Sequence, residues 1–97
     1  MGREDIIERI KGRAEAVRAL GVTALFIYGS RARGDDQTES DLDVFVDFDP
    51  ERFTFVELIE LEDLLSRELG LQVQLGTHDA LHPLIRSSIE RDAIRIL

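Results

Sequence analysis

Gly29-Ser30-Arg31-Ala32-Arg33-Gly34-Asp35-Asp36-Gln37-Thr38-Glu39-Ser40-Asp41-Leu42-Asp43 divides two apolar runs, Leu25-Phe26-Ile27-Tyr28 before it and Val44-Phe45-Val46 after it. Both runs are rich in β-branched and aromatic residues, so each reads as a strand. Side chains two apart on a strand share a face. Asp41 and Asp43 therefore project the same way, about 6.6 Å apart at Cα for the usual rise per residue. Two carboxylates held so close repel unless a cation lies between them. Small, closely spaced carboxylates are the oxygen donors that Mg²⁺ prefers, with water and substrate phosphates completing its octahedron. A Gly-Ser turn after a strand offers backbone N–H groups and a hydroxyl to phosphate, and glycine lets the backbone approach closely. The stretch thus describes a site for a metal and a nucleotide phosphate.

The Gly-Ser pair, the ten-residue spacing and Asp41-Leu42-Asp43 resemble the signature of the DNA-polymerase-β-like nucleotidyltransferase superfamily. The surrounding Gly-Ser-Arg-Ala-Arg-Gly and the short chain resemble its minimal nucleotidyltransferase (MNT) branch, and the resemblance covers almost the whole sequence. It implies a small mixed nucleotidyltransferase sheet with helices packed on it. It also implies that Asp41 and Asp43 hold Mg²⁺ and that Gly29 and Ser30 bind the outer phosphates of ATP. Arg33, and with less support Arg31, would neutralise phosphate charge or hold a partner; balancing the acidic loop is an equally good reading of both. The family commonly carries a third carboxylate on the next strand in a Val-Asp-Leu pattern. Here Val73-Gln74-Leu75 puts Gln74 at that position, an amide with no negative charge and no use as a base.

Two functions follow from the resemblance. The first is a Mg²⁺-dependent transferase moving AMP from ATP onto a partner protein, as the antitoxin of a toxin–antitoxin pair whose toxin is of the HEPN type. The second is a binding antitoxin with a decayed site, neutralising its partner by contact within a hetero-oligomer. Gln74 favours the second; the intact Gly-Ser and Asp-x-Asp favour the first.

The remaining sequence sets the frame. Ninety-seven residues suffice for one domain over 1–97 and for no second lobe. The net charge of −8, with eight acids from Asp35 to Glu51, argues against direct nucleic-acid binding and is compatible with a basic protein partner. There is no cysteine, which fits a reducing cytoplasm, no apolar run of membrane-spanning length, and no apolar core of a signal peptide after Met1.

Ile6, Ile7, Ile10, Ala14, Val17 and Leu20 recur at helical spacing and predict one amphipathic helix over about residues 3–20. Val22 to Tyr28 predicts a buried strand, and Gly29 to Ser40 a polar loop with a helical turn near Arg31 to Arg33. Asp41 to Asp47 predicts a strand with Leu42, Val44 and Val46 on one face and Asp41, Asp43, Phe45 and Asp47 on the other. Thr54-Phe55-Val56-Glu57 has the form of a capping box and opens a helix that Gly70 closes. Leu71 to Leu75 alternates as a third strand. Pro83 opens a last helix whose buried side would be Leu84, Ile85 and Ile89, and Ala93 to Leu97 could add an edge strand. The order α, β, loop, β, α, β, α with a final β specifies an α/β (α+β) fold with a mixed sheet. His78 and His82 read as polar loop residues, since Asp79 and Pro83 break the helix a zinc pair would need. No Gly-Lys-Ser/Thr follows a glycine-rich loop, so the chain is not a P-loop protein.

Overall fold

The computed structural model describes residues 1–34 and 41–97. The acidic part of the loop over 35–40 lies outside the described residues. A four-stranded mixed sheet in the order β3-β2-β1-β4 forms the frame. β1 (Val22–Tyr28) pairs antiparallel with β2 (Leu42–Phe48) and, on its other side, with the short edge strand β4 (Ile94–Arg95). β2 pairs parallel with β3 (Val73–Thr77), the connection running through a helix as parallel pairing requires.

Helices α1 (Arg3–Lys11), α2 (Ala14–Ala19) and α3 (Phe55–Leu69) carry the side chains that close the main core. Ile6, Ile10 and Val17 join Leu61, Leu65 and Leu69 in one cluster with Leu25, Ile27, Leu42, Val44 and Val46. Fully burying a Leu, Ile or Val contributes roughly 1.5–3 kcal/mol, so this face supplies most of the stability. The first helical stretch is broken where one continuous helix is predicted. Gly12 ends α1, and Arg13 leaves helical geometry at φ −111°, ψ 17°. A mid-helix glycine costs about 1 kcal/mol relative to alanine. Ile10 and Val17 nonetheless lie seven residues apart on the same buried side, so the apolar period survives the break that it cannot reveal.

α3 begins as its sequence predicts. The Thr54 side chain accepts from the Val56 N–H, and the Glu57 carboxylate accepts from the Thr54 N–H at 2.8 Å, with a second contact to the Thr54 hydroxyl. Gly70 closes it at φ 64°. β3 starts and ends two residues later than the predicted strand, covering Val73–Thr77.

The other face of the sheet is of a different kind. Phe45, 1% exposed, stacks on Phe26 with centroids 4.7 Å apart, and Tyr28 and His78 tilt against it. His78 sits in a short 3-10 turn (His78–Ala80). Its Nδ1 meets Asp47 Oδ1 at 2.7 Å and its Nε2 meets Glu90 Oε2 at 2.5 Å, linking β2 to helix α4 (Pro83–Asp92). His82 caps α4, its Nδ1 accepting from the Leu84 N–H. The expected buried side of α4 is not found. No α4 residue is buried, Leu84 is 89% and Ile85 52% exposed, and Ile89 is half-buried. The stripe is amphipathic in sequence, but its apolar residues in the first turn stay exposed. Among the described residues, no helix is long and apolar enough to cross a membrane.

The hydrogen bond to Glu90 raises the His78 pKa above its ordinary 6.5 against the opposing effect of burial, with Asp47 adding to the rise. His78 in turn lowers the Glu90 carboxyl below its ordinary 4.5. A raised folded-state histidine contributes stability that is complete below 6.5 and is lost as pH climbs through the folded value. The lowered carboxyl contributes stability above 4.5 that is lost as pH falls through its folded value. Wild-type protein is therefore expected to lose urea stability relative to His78→Gln between pH 6 and pH 9. Parallel curves for the two proteins over that range would show that the clamp carries no charge-dependent stability.

Candidate functional site

β1 delivers Tyr28 to the polar end of the aromatic face, and its register sets Tyr28 opposite Asp43 on β2. The chain then turns at Gly29, whose φ of +78° lies in the left-handed region. A Cβ built at Gly29 would stand 2.5 Å from Asp43 Oδ2, so the backbone here passes against the carboxylate itself. Only glycine meets both demands.

The following turn is anchored from within. Ala32 is 1% exposed and belongs to the main core, while the Arg33 N–H donates to the Gly29 carbonyl at 3.1 Å. Arg3 Nη1 donates to the Ala32 carbonyl at 3.1 Å, tying the turn to the start of α1. Burying the alanine between two arginines leaves Arg31 half-buried and Arg33 exposed. Ser30 lies half-buried immediately after Gly29.

Asp41 precedes β2 and Asp43 lies within it, both half-buried. Burial, and then the charge of Asp41, push the Asp43 carboxyl above its usual range. Burial and then the Asp43 charge push the Tyr28 phenol up in turn. On the neighbouring parallel strand Gln74 is the register partner of Asp43, and its Nε2 donates to Asp41 Oδ2 at 2.9 Å. An ionised carboxylate only accepts, so the nitrogen end of the amide is the one that faces it.

Of the residues singled out in the sequence, Gly29, Asp41, Asp43 and Gln74 form one connected cluster. Ser30 and Arg33 belong to the turn that leads away from it. Sequence spacing pairs the two aspartates but gives neither the direction of the Gln74 amide nor the position of Tyr28 beside Asp43. Both depend on strand register. Asp47, two residues beyond Phe45 on the same face, is bound to His78 and takes no part in the pair.

No group of three or more His, Cys, Asp or Glu side chains placed to hold a metal exists among the described residues. The described donor set is thus two hard oxygen ligands, which fits a Mg²⁺ ion that takes its other ligands from phosphate and water.

Comparison with known proteins agrees with this architecture. Residues 7–96 match the family model described as "Nucleotidyltransferase domain". A "Putative protein adenylyltransferase" of Methanocaldococcus jannaschii is 40% identical over 77 residues, spanning 77% of each chain. A solved structure described as a "putative minimal nucleotidyltransferase" superposes with a TM-score of 0.73 at 33% identity, over 97% of this chain and 95% of that one. A chain from the complex of a tri-AMPylated Shewanella oneidensis HEPN toxin with an MNT antitoxin gives a TM-score of 0.68 over 98% of this chain and 71% of its own. At 13% identity that is a likeness of fold. The match from the first helix to the last strand, over a sheet that carries the Gly-Ser turn and the aspartate pair on one face, makes this chain a member of the nucleotidyltransferase domain family of enzymes.

Proposed function

We propose that the chain is a Mg²⁺-dependent protein adenylyltransferase, acting as one 97-residue domain in the cytoplasm and transferring AMP from ATP to a partner protein of the HEPN toxin type. The observation that carries this reading is the half-buried aspartate pair beside the Gly29 turn, where a Cβ at Gly29 would fall 2.5 Å from Asp43 Oδ2. Asp41 and Asp43 hold the metal ion. Gly29 and Ser30 bind the outer phosphates, and Arg33 offsets their charge.

In the reaction a hydroxyl oxygen of the acceptor, such as a tyrosine phenol, bonds to the α-phosphorus. The bond from that phosphorus to the pyrophosphate oxygen breaks, and the hydroxyl proton leaves to solvent. A bound Mg²⁺ supplies Lewis-acid stabilisation of the charge that develops on the phosphate oxygens. The chain's own residues position the triphosphate and exclude a misaligned approach.

A protein acceptor agrees with the apolar surface. Leu84 and Ile85 on α4, and Phe55, Val56 and Ile59 on α3, are more than half exposed. Exposed apolar side chains on one helix face are the kind of surface a second protein covers, and α3 and α4 each carry such a set. The second reading, an antitoxin that neutralises by contact without transfer, is favoured by one residue, Gln74, where the family carries a third carboxylate.

Two variant sets test the proposal with α-labelled ATP, Mg²⁺ and the protein copurified with its genomic neighbour. Asp41→Asn and Asp43→Asn are each expected to lower label transfer on the order of a hundredfold to a thousandfold, with the fold intact because like-charge repulsion is relieved. Full transfer by both variants would remove the metal assignment, and stable complex formation without any label from wild type would select the contact reading.

Gly29→Ala is expected to lower transfer on the order of a hundredfold through misplacement of Asp43. It should also lower the unfolding midpoint, since alanine at a left-handed φ costs roughly 1–2 kcal/mol. Transfer at the wild-type rate would show that the turn does not position the carboxylate.

A further inference from the structure

The β3 residue beside the aspartate pair is an amide whose nitrogen points at the pair. This matters for how many cations the pair can hold. The triphosphate supplies anionic oxygens on its own side of the pair, but towards β3 the negative charge comes from Asp41 and Asp43 alone. A second ion needs another anionic ligand on the β3 side, next to the pair. Gln74 is the β3 residue paired with Asp43, and its N–H lies 2.9 Å from Asp41 Oδ2. A donor hydrogen directed into that space repels a cation where a carboxylate would attract one. The same bond fixes the orientation of Asp41, as a hydrogen bond to a metal-ligating carboxylate does in other metal sites.

The geometry points to Gln74 as a positioning residue that orients Asp41 through its side-chain amide and confines the aspartate pair to a single divalent cation. The inference rests on the reading of Asp41 and Asp43 as metal ligands. It separates this chain from a decayed enzyme, because the amide then has a task of its own: it offsets repulsion within the pair while no metal is bound and steadies one ligand when a metal arrives. A single ion held by Asp41 and Asp43 serves the triphosphate, and the acceptor hydroxyl is left without a dedicated metal ion. Such a site transfers slowly, at a rate set by positioning of the acceptor.

Counting bound Mn²⁺ by the loss of its free-ion electron paramagnetic resonance signal tests this without reference to turnover. A non-hydrolysable ATP analogue is held equimolar with the chain, and the analogue without protein is titrated alongside so that the affinity of nucleotide alone is known. Wild type is expected to hold one Mn²⁺ per chain and Gln74→Asp two. Gln74→Met, of similar length but without a donor, is expected to hold one ion roughly tenfold more weakly, the usual cost of removing a partner that orients a ligand. Two ions in wild type would overturn the inference while leaving the proposed function standing. One ion in Gln74→Asp together with unchanged affinity in Gln74→Met would overturn it as well. No Mn²⁺ bound to any of the folded proteins would overturn the metal assignment itself, and the inference with it.

Discussion

The antiparallel register of β1 and β2 is the constraint on which the site depends. It sets Tyr28 opposite Asp43 and brings the Gly29 turn against the Asp43 carboxylate. A slip of one residue would turn every side chain of β2 over, placing Asp43 in the helix-covered core and Val44 in the site. The apolar face prevents the slip: Leu42, Val44 and Val46 are each 0% exposed beneath the helices. Stability on one face therefore fixes chemistry on the other, through a backbone that both share.

The two faces divide the work. The helix-covered side is aliphatic and continuous, and it reaches the Gly-Ser turn by burying Ala32. The opposite side mixes stacked rings with acids. α4 reaches it through His78 and Glu90, while the first turn of α4 leaves Leu84 and Ile85 in solvent. α4 is thus held at one end by an ion pair while its first turn keeps its apolar side chains exposed.

Much of this is legible in the sequence, because the relevant signals are local. The alternation from Asp41 to Asp47 gives the two faces of β2, the Thr54 to Glu57 box gives the start of α3, and the apolar run ending at Tyr28 gives β1. The Gly-Ser and Asp-x-Asp spacing gives the cluster. What the sequence withholds depends on contacts distant in the chain. The Gln74 to Asp41 bond spans 33 residues and the His78 to Asp47 contact spans 31. The break at Gly12 escapes because the buried positions keep their period across it. The exposure of Leu84 and Ile85 escapes because an amphipathic stripe says that an apolar face exists, not that the same chain covers it.

Asp41, just before β2, and Asp43 and Asp47 within it set three like charges along one face of the strand. Each is treated differently. The Gln74 amide donates to Asp41, and His78 pairs with Asp47. Asp43 lies between them, and burial first and the Asp41 charge second push its carboxyl upward. Asp43 therefore stands at the centre of the series, beside the glycine turn and opposite Tyr28. A cation arriving there would remove the penalty that the fold has left in place, whereas one arriving at Asp47 would have to displace a histidine. On the proposed reading, a metal ion held by Asp41 and Asp43 would lie at the end of the strand beside the glycine turn, with a neutral amide at 74 next to it.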